Sequence, residues 1–295
     1  MNVSTKNVCI MMPAYNAQET ISRALKSLQF QSYSNWNCII VDDGSTDATV
    51  KIVEEFIAND NRFKIVKIGK NMGRGFARKL ALSYCLENDC DFIAMLDADD
   101  WYYPNKLKDQ VDKFIENPDV DVISCRMAVV DKNSNIIGVR GNVSNPVSTF
   151  RQPSNVPMPH ASTMFRKSIV GENTYDTSLK YGQDMDFLRR ILLGRKYLLI
   201  NEVGYVYEEG YSNNFLKSFL SYFYSAKSYS KFFKRFKLFI SLKIIAEYLK
   251  AFRLLAYYIL GRYETAIQNR SKKPNQLEIL EFLKARKYLD EFNQK

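Results

Sequence analysis

The chain has little from which to build a thiol or imidazole metal site. Its 295 residues include one histidine, His160, and five cysteines, Cys9, Cys38, Cys85, Cys90 and Cys125, none in a CxxC pair. That excludes a paired-cysteine zinc site and a disulfide framework. Cys9, Cys38 and Cys125 lie in or at the end of apolar strand-like runs and read as buried reduced thiols. No glycine-rich fingerprint follows the first apolar run, where Pro13-Ala14-Tyr15-Asn16 stands instead. This excludes a GxGxxG dehydrogenase. Met1–Asn7 has no apolar core behind a basic start, so no signal peptide is expected. An uninterrupted membrane span is also missing. Leu238 to Leu260 is long enough to cross a bilayer, but Lys243, Glu247, Lys250 and Arg253 interrupt it. Charges at depth cost ~2.5–3.5 kcal/mol each at the centre. The expected location is therefore cytoplasmic.

What is present is a globular composition, 46% hydrophobic and 25% charged, which allows one large domain or two smaller ones. The net charge of +10 is unevenly placed: residues 211–273 hold 13 Lys or Arg against Glu247 and Glu264, and the rest is nearly neutral. An anionic surface, bilayer or nucleic acid, is the expected partner of that segment. Phe215, Phe219, Tyr222, Phe223, Ala226, Tyr229 and Phe233 would share one helix face, with Lys217, Lys227, Lys231 and Lys234 opposite. That pattern fits a helix lying in a membrane interface, because a one-sided charge excess of this size is more than solubility needs; the alternative is a helix packed on the rest of the chain with solvated lysines. Lys272–Asn275 reads as a linker to a last amphipathic helix carrying Leu277, Leu280, Leu283 and Leu289.

The first 125 residues alternate strand and helix. Apolar runs at Val8–Met12, Cys38–Val41, Phe63–Ile68, Phe92–Leu96 and Val120–Ser124 are separated by helix-period stretches. This implies a doubly wound, mostly parallel α/β sheet with the strand C-termini on one rim. Asp131–Asn135 reads as a hairpin turn. Residues 126–159 otherwise look irregular, as an acceptor loop or lid would. A helix face at Met185–Leu192 and a strand at Tyr197–Ile200 follow.

Four polar clusters fall on that rim: Pro13–Asn16, Asp42–Asp47, Asn71–Arg78 and Asp97–Asp100. Crowded carboxylates repel and are costly to desolvate unless a cation joins them. Asp97 and Asp99 therefore suggest a hard divalent ion shared with a diphosphate. The alternative is local: Asp99 or Asp100 capping a helix that starts near Pro104.

Together, Met12–Asn16, Val41–Asp47 and Leu96–Asp100 resemble the three consecutive landmarks of the family 2 inverting glycosyltransferases, over roughly residues 8–205. The resemblance implies a GT-A fold in residues 1–210, with 211–295 as a helical extension. It also implies a UDP-sugar donor, a Mg²⁺ or Mn²⁺ ion, and a hydroxyl acceptor on a surface or lipid-linked glycan. On this resemblance Tyr15 stacks on the base and Asp43 accepts the uracil imide N–H. Arg78 lies near the diphosphate or base, Asp97 binds ribose or sugar, and Asp99 ligates the metal. Pro13 and Ala98 are carried over as donor-binding neighbours. Gly182–Phe187 resembles the family's Glu-Asp motif, with Gln183 where Glu is usual, so Asp184 aligns with the base. Gln183 and His160 are candidate acceptor-side residues. No QxxRW-like motif occurs, which favours single additions, made peripherally on the inner face of the plasma membrane. The alternatives are a sugar nucleotidyltransferase, whose glycine-rich loop after the first strand is missing, and a non-enzymatic binder of anionic polymers. The basic segment alone would suit nucleic acid, but that leaves the carboxylate rim unexplained, so no nucleic-acid partner is expected.

Overall fold

The computed structural model describes residues 6–141, 144–209, 215–263 and 271–291. The first strand, β1 (Val8–Ala14), is buried along its whole length, as a strand covered on both faces must be. Val8, Ile10 and Met12 belong to one apolar layer, and Cys9 and Met11 to the other. α1 (Ile21–Gln29) buries Ile21, Ala24, Leu25 and Leu28, the one-face spacing of an amphipathic helix.

β1 pairs in parallel with β2 (Trp36–Asp42) on one side and β4 (Phe92–Met95) on the other, and β2 with β3 (Phe63–Lys67). α2 (Thr49–Ile57) and α3 (Arg74–Glu87) make the crossovers. The chain leaves β1 in one direction and returns beyond it at β4, so the sheet's switch point lies between them. Ligands of open α/β sheets bind in such a crevice, at the strand C-termini.

Beyond β4 the sheet is mixed. The remaining strands are β5 (Trp101–Tyr102), β6 (Val122–Val130), β7 (Ile136–Arg140), β8 (Ser144–Thr149), β9 (Thr163–Arg166) and β10 (Lys196–Glu208). The order is β3-β2-β1-β4-β9-β6-β10-β5, with β7 on β6 and β8 on β10. β9 runs antiparallel between β4 and β6, so β6 and β10 again point with β1. The fold is thus the expected α/β type, but residues 126–159 are less irregular than they read. β6 extends well past Ser124, and the Asp131–Asn135 turn returns it into β7, with the Asp131 carboxylate accepting the Asn133 and Asn135 N–H groups. All five cysteines are buried and free.

α4 (Lys106–Glu116) carries one costly feature. Lys106 is 1% exposed, its Nζ has no hydrogen-bond partner among the described residues, and it lies 3.9 Å from the centre of the Tyr102 ring. Burial lowers its pKa to about 7. Between that value and the ordinary lysine range the unfolded chain holds a proton that the folded chain does not, so stability rises with pH in this window. Below it the ammonium is buried at full cost. Lys106→Met should raise stability at neutral pH by about 1–4 kcal/mol and flatten the dependence from neutral to alkaline pH. Denaturant melts of both proteins across that range would check this; an unchanged slope would mean the ammonium is solvated.

The C-terminal helices are α6 (Phe215–Ser230), α7 (Lys237–Ile259) and α8 (Gln276–Glu291). α6 does not present a free lysine face. Lys231 reaches the fully buried Asp186 of α5 (Gln183–Leu192) at 2.8 Å and Asp176 at 2.7 Å, and Lys227 reaches Ser178. Arg190 and Ser228 complete the shell around Asp186. A buried carboxylate needs this much compensation, and it fastens α6 to α5. α8 also differs from expectation: Leu277, Leu280 and Leu283 are exposed, while Phe282, Ala285 and Leu289 are buried with Trp101 of β5. The aromatic contact and the Arg126–Glu278 pair at 2.5 Å choose that face. The last helix therefore shares a core with the sheet.

Candidate active site

The β1, β2 and β4 C-termini set three polar clusters side by side. After β1, Asn16 adopts a positive φ of 47°, which an asparagine tolerates. Its Oδ1 accepts the Thr46 N–H at 2.9 Å, and its own N–H donates to Ser45 Oγ. The loops after β1 and β2 are thereby tied together. Pro13 is buried in β1, whereas Tyr15, just past the strand end, is 47% exposed.

Asp43 is 3% exposed, and its two oxygens accept the Met72 and Gly73 N–H groups at 2.7 and 2.8 Å. It anchors the loop that opens α3, keeping one lone pair on each oxygen. Gly44, at φ 73°, packs against this loop, since a Cβ there would fall 2.5 Å from the Lys70 carbonyl carbon. Only glycine meets both conditions.

Arg78 of α3 is the centre of the site. It is 3% exposed. Its Nη2 donates to both Asp97 oxygens at 3.1 and 3.2 Å, and its Nη1 lies 3.7 Å from Asp184 Oδ2. Burial is the largest influence and would raise the Asp97 and Asp184 pKa values, but Arg78, joined by Arg74 at Asp97 and by the Met185 N–H at Asp184, brings both below the usual carboxylate range. Asp184 opens α5 behind Gly182, which takes the left-handed φ of 72°. Its Oδ1 accepts the Met185 N–H at 2.8 Å, and its side chain is 30% exposed. It is ionised at neutral pH and reachable.

Asp99 behaves oppositely. Desolvation and the neighbouring Asp97 charge push its pKa up, and no cation pairs with it among the described residues. No group of three His, Cys, Asp or Glu side chains forms a protein-only metal site among the described residues. A Mg²⁺ or Mn²⁺ ion held by one or two carboxylates and substrate phosphates needs no such group, and the exposed Asp99 carboxylate, next to Asp97 and without an ion pair among the described residues, fits that demand. Ala98, between them, is 5% exposed, and its carbonyl accepts the Thr20 hydroxyl.

Helix capping does not explain the cluster. α4 starts at Lys106 behind Asn105, with no side-chain cap. Asp100 is fully enclosed, accepting Tyr205 Oη at 2.6 Å and the Glu208 N–H at 2.9 Å, so it tethers β10.

The two candidate acceptor-side residues are both buried. Gln183 is 5% exposed and packs against Gly75 of α3. His160 is 3% exposed and pairs through Nε2 with Tyr175 Oη at 2.7 Å, its Nδ1 without a partner among the described residues. Burial, then the Arg78 charge, lowers its pKa to about 4, so it is neutral at neutral pH. Sequence reading missed Tyr175, Tyr205 and the Asp186 cluster. Only the Asp186–Arg190 spacing of four on one helix hinted at the last.

Residues 9–173 match the family model described as Glycosyl transferase family 2. Over 131 residues the chain is 37% identical to the UDP-Glc:alpha-D-GlcNAc-diphosphoundecaprenol beta-1,3-glucosyltransferase WfgD of Escherichia coli, covering 44% of this chain and 49% of that one. The match thus spans about half that relative's length. The fold is similar to Staphylococcus aureus TarS 1–349 in complex with UDP-GlcNAc, with TM-score 0.63 and 22% identity, covering 77% of this chain and 66% of that one. It is also similar to the mannosyltransferase PcManGT of Pyrobaculum calidifontis in complex with GDP-Man and Mn²⁺, with TM-score 0.59 and 15% identity, covering 99% and 89%. With its fold of the GT-A type and more than half its length matched by the family model, the chain belongs to glycosyl transferase family 2.

Proposed function

We propose that this chain is an inverting glycosyltransferase moving a hexose or N-acetylhexosamine from a UDP-sugar to a hydroxyl of a surface or lipid-linked glycan. One observation carries the reading. Arg78 joins Asp97, from the donor-side strand end, to Asp184, from a helix nearly ninety residues later, in one crevice beside Asp99. The names of WfgD and of the TarS complex support a UDP-sugar donor, and that of WfgD a lipid-linked acceptor.

In this reading Tyr15 stacks on the uracil ring. Asp43 holds the 72–73 loop and offers its remaining lone pairs to the imide N–H. Pro13 and Ala98 wall the donor cleft, and Asp97 binds the ribose or sugar. Asp99, with Asp97 beside it, would hold a Mg²⁺ or Mn²⁺ ion, which neutralises charge on the leaving diphosphate. Asp184 accepts the acceptor hydroxyl's proton as the new oxygen–C1 bond forms. The C1–phosphate oxygen bond breaks on the opposite face, and its electron pair leaves with UDP. The acceptor would be met peripherally at the inner face of the plasma membrane. Among the described residues no helix is long and apolar enough to cross a membrane.

A UDP-sugar hydrolysis panel with Mn²⁺ or Mg²⁺, read by UDP release, tests the donor. One sugar should turn over at least about tenfold faster than its epimers, and chelation should stop it. If no UDP-sugar binds or turns over, the donor class is wrong.

A further inference from the structure

The outermost row of α7 faces solvent. Leu238, Leu242, Ile245, Leu249, Phe252 and Ile259 are 76, 60, 53, 63, 61 and 74% exposed. Their spacing of four and three, interrupted only at Ala256, keeps them on one side of a helix about 35 Å long. Ile240, Ala251 and Leu254 are buried on the other side, and aromatic contacts such as Phe223–Tyr248 join α7 to α6. A helix packed on one face ordinarily turns polar residues outward. A continuous apolar row of this size marks an interaction surface.

The charges around the row identify the partner. Exposed Arg253 borders it, Lys243 and Lys250 lie further round, and Lys234, Arg235 and Lys237 gather at its N-terminal end. The one acid of α7, Glu247, is 5% exposed and paired with Lys250. A second copy would bring the same cations against these, and like charges oppose such a seam. The apolar surface is also wider than a coiled-coil seam, since Tyr248, Tyr257 and Leu260 are exposed beside the row. Nucleic acid would use the cations and leave the leucines in water.

We propose that α7 lies in the surface of an anionic bilayer, with the Leu242–Ile245–Leu249–Phe252 row among the acyl chains and the flanking Lys and Arg at the headgroups. In α6, by contrast, Lys227 and the Lys231 that follows it are engaged with Ser178 and with Asp176 and Asp186. The C-terminal end of α7 lies near the crevice. Tyr258 stacks on Phe215 of α6 at 4.0 Å, and at Lys217, one half-turn on, burial and then the Arg74 charge lower the pKa, opposed by Asp184 and Asp99. A lipid-anchored acceptor would have a short path to the base. That last point rests on the transferase reading; the membrane surface does not.

Flotation of the full chain with phosphatidylcholine vesicles, with and without phosphatidylglycerol, tests the proposal. The chain should float only with the anionic vesicles. The Leu242→Glu/Leu249→Glu double variant should lose about a hundredfold in vesicle affinity. Its circular dichroism and its UDP release in vesicle-free buffer should match the parent, so misfolding is separately visible. Absence of parent binding, or unchanged binding by the double variant, overturns the proposal. So does a dimer in vesicle-free buffer that the double variant breaks without any vesicle binding, which would make a second copy the occupant. Oligonucleotide retention in place of flotation overturns it likewise. UDP release without vesicles reads the transferase proposal independently of all these outcomes.

Discussion

Asp184→Asn is expected to lower the transfer rate by about 10²–10⁴, the range for loss of a positioned general base, while UDP-sugar binding stays nearly intact. The replacement keeps the shape of the side chain and its acceptance of the Met185 N–H. It removes the ionised, partly exposed carboxylate at the start of α5. Arg78 keeps its closer partner, since Asp97 lies at 3.1 Å against 3.7 Å for Asp184, so the donor side should hold its geometry. Because Arg78 holds the Asp184 pKa down, the parent's acid limb of kcat/KM should lie below the ordinary aspartate range. Product formation with donor and acceptor, beside calorimetry of UDP binding, checks both halves. A variant that retains a substantial fraction of activity would move the base elsewhere.

How much of this was legible in the sequence depended on whether a signal was local. The parallel half of the sheet was, because β1, β2 and β4 are buried on both faces and their residues form unbroken apolar runs ending in polar clusters. β7 and β8 were not. Such short antiparallel strands at the sheet's margin take their place from pairing with β6 and β10 rather than from an apolar period. Asp97, Asp99 and Asp184 could be named as a group only through the resemblance, since nothing within either stretch says that they meet. The tether of Asp100 to Tyr205 and the pairing of His160 with Tyr175 join residues far apart in sequence. Asp43 shows the same limit: its position at the rim was legible, but its hold on the Met72 and Gly73 N–H groups was not. For α6, helix period identified two faces correctly but could not say which lysines would find buried carboxylates.

Arg78→Met should cost about 3–5 kcal/mol of stability at neutral pH, as breaking a buried ion cluster by removing one member does, and should weaken UDP binding. The pH dependence distinguishes this from a simple packing defect. In the parent, Asp97 and Asp184 have depressed pKa values, so their contribution is present above the ordinary aspartate range and is lost as pH falls through the depressed values. Without the guanidinium the burial of both carboxylates is no longer offset, and their pKa values rise. The variant then gains stability as these groups take up protons. The gap between the two proteins should accordingly be widest near neutral pH and narrow in acid. Arg78→Lys should fall between them, because one ammonium lacks the fork that meets Asp97 and Asp184 together. Denaturant melts of all three proteins at neutral and acid pH provide the measurement. A gap that is constant with pH would show that Arg78 acts by volume alone, and the site would lose the charge that links its donor side to its base.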